Sequence, residues 1–184
     1  MIALFDRGVK GMGFVKDLHT DEKMAPAVGV LFSAVSENVG RLKSIVSGIN
    51  RELLEYKGEH GDQNSIAQLI SHLINVDTRW VYRLREENLP RELEEAIGPM
   101  TDENGLLPEV KGVPLSVLLS RYDKVLEALK NTAEQLTEED LLKTVPYEGG
   151  LATIRWGIWH MSDHNRYHQA HIQALIKAFR KREG

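Results

Sequence analysis

The stretch WHMSDHNRYHQAH, residues 159–171, holds four of the seven histidines of this 184-residue chain. Three of them recur every four residues: His160, His164 and His168. On an α-helix this spacing stacks side chains on one flank, with Cβ atoms about 5–6 Å apart for each pair four residues apart. Two imidazoles at that separation can share one metal ion through bonds of about 2.0–2.1 Å. The stretch therefore predicts a helix that carries part of a metal site.

Apolar residues recur at intervals of three and four over four long segments, the pattern of a helix with one buried face. The predicted helices are 21–57, 65–88, 114–136 and 153–180, the last of which carries the histidines. A long loop punctuated by Pro and Gly is predicted over 99–113, and 144–151 is expected to be irregular or a small hairpin. The four stripes predict an all-α fold, a four-helix bundle with long connecting loops.

Length and composition bound the class of protein. We expect a single domain over residues 1–184, in which 1–20 form an N-terminal extension. The net charge of −4 without a basic stretch argues against nucleic acid as a partner. No apolar run approaches the ~18 residues of a membrane span, and no signal-peptide pattern begins the chain, so a cytoplasmic location is expected. Cysteine is absent, which excludes disulfides and cysteine-ligated zinc.

Only one neighbouring pair of the stacked histidines can bind the same ion. His160 and His168 are eight residues apart, about 12 Å along a helix axis. On a helical wheel, His168 lies nearest to the centre of the apolar stripe, His164 next and His160 farthest. We therefore expect the pair His164 and His168 to face the bundle, with His160 and His171 on its flank.

A third ligand is needed, because a catalytic zinc site usually has three protein ligands and one open position. Outside the histidine-rich stretch only His19, His60 and His72 remain, and only His72 lies in the middle of a predicted helix. The candidate metal ligands are therefore His72, His164 and His168. The alternative stays open, since a histidine at the edge of a helix is often only a surface or hydrogen-bonded residue.

Three further side chains are candidates to orient an imidazole from outside the ligand set: His160, Asp163 and Asp77. Asp163 has the alternative of being solvated. Asp77 falls near an apolar stripe, where a buried carboxyl group would need a partner.

The pattern WHxxxHxxxH at 159–168 resembles the last helix of the DinB-like, or YfiT-like, metal-binding four-helix bundles. The segments AQLISHL at 67–73 and DTRW at 77–80 are similar to the second helix of that family. The resemblance covers about residues 24–179.

This resemblance implies a site as well as a fold. The family's ligand from the second helix would be His72, and its two ligands from the last helix would be His164 and His168. The family often has Arg-Gly-Gln after the last ligand, whereas this chain has QAH at 169–171.

The resemblance also implies a function, that of a divalent-metal S-transferase or related isomerase using a low-molecular-weight thiol such as bacillithiol or mycothiol. Because the chain has no cysteine, a cosubstrate would have to bring the thiol. Two alternatives remain: a metal-dependent hydrolase that activates water, and a non-enzymatic metal- or ligand-binding stress protein, with a homodimer as one possibility. Zinc, nickel and iron all suit three histidine ligands.

Overall fold

The computed structural model describes residues 17–183. Within that range there are six α-helices, one short 3-10 helix at Asp140–Leu142 and one antiparallel hairpin. The helices are α1 (Pro26–Ile45), α2 (Arg51–Glu55), α3 (Ile66–Leu84), α4 (Arg91–Ile97), α5 (Leu115–Ala133) and α6 (Ile154–Glu183). The strands are β1 (Thr144–Tyr147) and β2 (Gly150–Thr153).

The four long helices, α1, α3, α5 and α6, surround one apolar core. α6 lies against both α1 and α3, and α3 also lies against α5. The stripes read from the sequence supply the fully buried side chains, among them Val28, Leu42, Leu73, Leu118 and Ile158. The prediction of an all-α bundle with long connections is confirmed. Within the described residues, no helix combines the length and the apolar character that a membrane crossing needs.

The first predicted helix, 21–57, is in fact two helices. α1 ends at Ile45, and Gly48 then adopts a φ of +74°, a left-handed conformation that glycine takes at little cost. Asn50 starts α2 by accepting a hydrogen bond from the backbone N–H of Leu53. Leu53 and Leu54 are buried, so the apolar stripe continues through the break.

The hairpin leads directly into the helix that carries the histidines. Glu148 and Gly149, between its strands, both have positive φ, which is the requirement of a two-residue type I′ turn. Thr153 Oγ1 accepts a hydrogen bond from the backbone N–H of Trp156 at 3.3 Å, so Thr153 caps α6 as predicted. The pairing brings Tyr147 against Trp156 in the first turn of α6.

Candidate metal centre

Three histidines from two helices converge on one point. His164 Nε2 lies 3.2 Å from His72 Nε2 and 2.9 Å from His168 Nε2. One nitrogen of each ring lies within 4.8 Å of the others. Tetrahedral bonds of about 2.0–2.1 Å separate neighbouring ligand nitrogens by about 3.3 Å. The spacing therefore fits one metal ion, although two of the distances also fit N–H···N hydrogen bonds between neutral rings.

All three imidazoles lie in surroundings that favour the neutral form. Burial, together with the neighbouring imidazoles of His72 and His160, lowers the pKa of His164 to about 4. Burial, together with His164, His72 and His171, lowers the pKa of His168 to about 3. The pKa of His72 is also lowered by burial. Neutral imidazole is the form that binds a metal ion, so no proton has to be removed at neutral pH.

Close packing of α3 against α6 brings His72 to the other two. The helices run antiparallel, since His72 faces His164 while Trp80, two turns further along α3, faces Gly157. Trp80 is fully buried, and a Cβ on Gly157 would lie 2.3 Å from its ring. The missing side chain of Gly157 therefore allows the backbone of α6 to approach α3 closely.

A buried polar network fixes the rotation of α6 about its axis. Tyr122 donates from its hydroxyl group to Asp77 Oδ2 at 2.6 Å, and Asn165 Nδ2 donates to the Tyr122 hydroxyl oxygen at 2.7 Å. Gln169 Nε2 donates to the backbone oxygen of Asn38 at 2.8 Å. Asn165 and Gln169 each follow a histidine of the cluster by one residue, so these bonds to α1 and α5 also orient His164 and His168.

The structure does not join the two predicted orienting carboxylates to the cluster. Asp77 is fully buried and turns toward Tyr122, because a buried carboxyl group needs a partner. Burial raises the pKa of Asp77 to about 7, against the lowering effect of the Tyr122 hydroxyl group. Asp163 is exposed. Neither carboxylate has a hydrogen bond to an imidazole within the described range.

His160, the third predicted neighbour, does contact the cluster. Its ring stacks on Trp156 at 4.7 Å and lies 5.4 Å from the ring of His164 with nearly parallel planes. His160 Nε2 lies 3.5 Å from the hydroxyl oxygen of Tyr147. On the other side, Tyr167 packs against both His168 and His171. Aromatic rings therefore flank the cluster along α6, while His19 and His60 lie outside it.

A cavity of about 220 Å³ lies beside His72. One wall is α3, with Gln68, Ser71 and Asn75, and the other is the end of α4 with the two legs of the long loop, at 98–100 and 108–110. The sequence predicted the loop, but it did not predict α4 or the place of the Gln68 and Asn75 side chains in the cavity wall. The cavity gives a small molecule a place next to the cluster.

Comparisons with known proteins agree with this architecture. Residues 34–172 match the family model described as the DinB superfamily. The chain is also 52% identical over 168 residues to the uncharacterized protein YkkA of Bacillus subtilis (strain 168), covering 91% of this chain and 96% of that protein. All three clustered histidines lie inside the matched region. The chain therefore belongs to the DinB superfamily.

Proposed function

We propose that the protein binds one divalent metal ion through His72, His164 and His168 and acts as an S-transferase that uses a low-molecular-weight thiol. The observation that carries the proposal is the convergence of three Nε2 atoms from neutral imidazoles. Nitrogen ligands of this kind suit zinc, nickel or iron. Three protein ligands leave room for a further ligand, as in catalytic zinc sites.

The charge of the ligand set bears on the chemistry. The cluster consists of three uncharged imidazoles, so it does not neutralise a bound cation. When bound, such a cation would supply the positive charge that favours the thiolate form of a thiol at neutral pH. The chain has no cysteine, so the thiol has to come from a cosubstrate.

The residues around the cluster would position the reactants. The cavity beside His72 offers a place for a small molecule within reach of the cluster. The stacked rings of Trp156 and His160 cover one flank of His164 and limit access of water from that side. Holding two reactants in one geometry converts a bimolecular reaction into an effectively unimolecular one.

The pKa of the nucleophile and the pairing of the nearby carboxylates bear on the choice between thiol transfer and hydrolysis. A free thiol has a pKa of about 8.5 and free water a pKa of about 15.7, which a bound metal ion lowers to about 7, so water depends more on the ion to lose its proton than a thiol does. A general base would have to lie within hydrogen-bonding reach. Asp77 is hydrogen-bonded to Tyr122. Two carboxylates line the cavity, and both are in ion pairs: Glu95 with Arg91, and Glu109 with Lys57 and Lys111. Each of these three carboxylates would have to leave its present partner before it could act as a base.

The test is metal-dependent conjugation. The purified protein is loaded with Zn²⁺, Ni²⁺ or Fe²⁺, its metal content is measured by elemental analysis, and bacillithiol or cysteine is offered with 1-chloro-2,4-dinitrobenzene. We expect one metal per chain and a rate above the uncatalysed one, both lost in His168→Ala. Stoichiometric metal without any such rate refutes the transferase and leaves a metal-binding protein. Absence of bound metal refutes the site.

A further inference from the structure

Two amide side chains of α3 flank His72 on the face that lines the cavity. Gln68 precedes His72 by four residues and Asn75 follows it by three, so all three lie on one side of the helix. Both amides are buried, with 4% and 3% of their surface exposed. Buried amides need partners for both the N–H and the C=O group.

Both amides use their NH₂ groups on the long loop. Gln68 Nε2 donates to the backbone oxygens of Leu107 at 2.9 Å and Pro108 at 3.3 Å. Asn75 Nδ2 donates to a run of three backbone oxygens, those of Ile97 at 3.2 Å, Gly98 at 2.9 Å and Pro99 at 3.2 Å. Gln68 therefore holds the C-terminal leg of the loop, and Asn75 holds the N-terminal leg.

The amide oxygens are engaged as well, which fixes the orientation of both groups. Gln68 Oε1 accepts a hydrogen bond from the backbone N–H of Ser65 at 3.0 Å, as part of the cap of α3. Asn75 Oδ1 accepts one from Arg79 Nε at 2.9 Å, and Arg79 in turn pairs with Glu94 of α4. Neither amide can turn around without losing bonds at both ends.

The segment between the two legs is held together by its own hydrogen bonds. Asp102 Oδ1 accepts from the backbone N–H groups of Asn104 and Leu106, and the Asp102 N–H donates to the backbone oxygen of Leu106. Both legs line the cavity beside His72. The loop is therefore hydrogen-bonded at its tip and along both of its legs.

We propose that Gln68 and Asn75 are specificity-determining residues that hold this loop as a fixed wall beside His72. The wall admits the unbranched sulfhydryl end of a thiol and disfavours thiols with a branched carbon next to sulfur. This inference rests on the proposed function. At about 220 Å³ the cavity is smaller than the about 300–1,000 Å³ of pockets that enclose a drug-sized ligand. The cavity has polar as well as apolar walls, and even a purely apolar pocket discriminates about 10–200-fold for a single methylene.

The variants that test this are Asn75→Asp and Gln68→Glu. Each keeps the side-chain oxygen that accepts from Arg79 or Ser65 but replaces the donor by an oxygen that faces backbone carbonyl groups. Asn131→Asp and Gln173→Glu make the same chemical change at exposed positions of α5 and α6 and serve as controls.

The first measurement is hydrogen–deuterium exchange in the protein without added metal. We expect exchange over 97–101 to accelerate about tenfold or more in Asn75→Asp, and exchange over 105–110 to do so in Gln68→Glu. The two control variants should match the wild type. Unchanged exchange in both test variants would overturn the anchoring role, whatever the metal or substrate.

The second measurement is ligand discrimination in the Co²⁺-loaded protein, followed by its absorption spectrum. We expect the wild type to bind N-acetylcysteine at least about tenfold more tightly than N-acetylpenicillamine, which carries two methyl groups beside sulfur. In the two test variants the ratio should fall below about threefold while one Co²⁺ still binds per chain. A ratio unchanged by both variants, or absent from the wild type, overturns the selectivity.

A failure of the proposed function gives a different result. If Co²⁺ binds but neither thiol changes its spectrum, thiol chemistry is refuted, and imidazole and 4-phenylimidazole then replace the two thiols as the small and large ligands. Loss of their discrimination in Asn75→Asp and Gln68→Glu supports the wall for another class of ligand. An unchanged ratio overturns the wall as well.

Discussion

At the scale of single residues, what distinguishes the three clustered histidines is the direction of Nε2. His72, His164 and His168 direct this atom toward one another, whereas His160 Nε2 faces the hydroxyl group of Tyr147. His160 thus belongs to the same stacked row on α6 but not to the convergent set. This difference separates a proposed ligand from its neighbour and can be tested by substitution.

We expect His168→Ala to abolish stoichiometric metal uptake while the helical circular dichroism signal stays near that of the wild type. The change removes one of three protein donors, so affinity should fall by more than the about 10–100-fold that loss of an outer partner costs. His160→Ala is the matched control on the same helix, and its affinity loss should stay within that range. Isothermal titration with Zn²⁺ measures both. Full uptake by His168→Ala would show that the ligand assignment is wrong.

The candidate cluster was accessible from the sequence because helical periodicity places residues four apart on one face. The same periodicity selected His164 and His168, and elimination added His72. The anchoring roles of Gln68 and Asn75 were not accessible, because their acceptors are backbone oxygens, which leave no pattern in the sequence. The hydrogen-bond partner of Asp77 could not be identified from the sequence either, because Tyr122 fits the apolar stripe of α5.

At the scale of helices and loops, the sequence predicts the bounds of long helices more accurately than those of short ones. The stripes of α3, α5 and α6 predicted their extents to within a few residues. The break after α1 was missed because buried Leu53 and Leu54 continue the stripe, although Gly48 and Asn50 were signals of it. The seven-residue α4 has no buried residue, so it has no stripe to recognise.

The contact between α3 and α6 gives a prediction at this scale. In Gly157→Ala the new methyl group would collide with the buried Trp80 ring, and overpacking of this kind costs about 1–3 kcal/mol. Because α3 would be displaced from α6, metal affinity should fall along with the free energy of unfolding. Urea unfolding and a Zn²⁺ titration on the same variant measure the two effects.

The control is a second helical glycine. Gly40 in α1 has no atom within 4 Å of an added Cβ, so Gly40→Ala should raise the free energy of unfolding by about 0.5–1 kcal/mol through helix propensity alone. The two substitutions are chemically identical and are expected to shift stability in opposite directions. If both stabilise the protein, the packing of Trp80 on Gly157 does not limit the approach of α3 to α6.

At the scale of the whole molecule, one polar network connects all four long helices inside an apolar core. Asp77 of α3, Tyr122 of α5 and Asn165 of α6 are hydrogen-bonded in series, and Gln169 extends the series to α1. Buried networks of this kind carry high costs if one member changes its charge. The charge of Asp77 therefore matters to the stability of the entire bundle.

The pH dependence of stability follows from the pKa of Asp77. This pKa is about 7 in the folded protein against an ordinary value of 3.8, so between about pH 4 and 7 the folded state holds a proton that the unfolded state has released. The contribution of the Asp77 carboxyl group to the free energy of unfolding is fully present below about pH 4 and is lost as the pH rises to about 7. Across this pH range the free energy of unfolding is expected to fall by roughly 4 kcal/mol because of this one group.

Asp77→Asn removes this titration while keeping the shape of the side chain. Its free energy of unfolding, minus that of the wild type, should therefore rise steadily from about pH 4 to 7 and change little above that range. Urea unfolding at a series of pH values measures this difference, and Asp163→Asn, an exposed carboxylate on α6, controls for the loss of one charge. A difference for Asp77→Asn that stays constant across the range would mean that the buried carboxyl group does not take up a proton on folding.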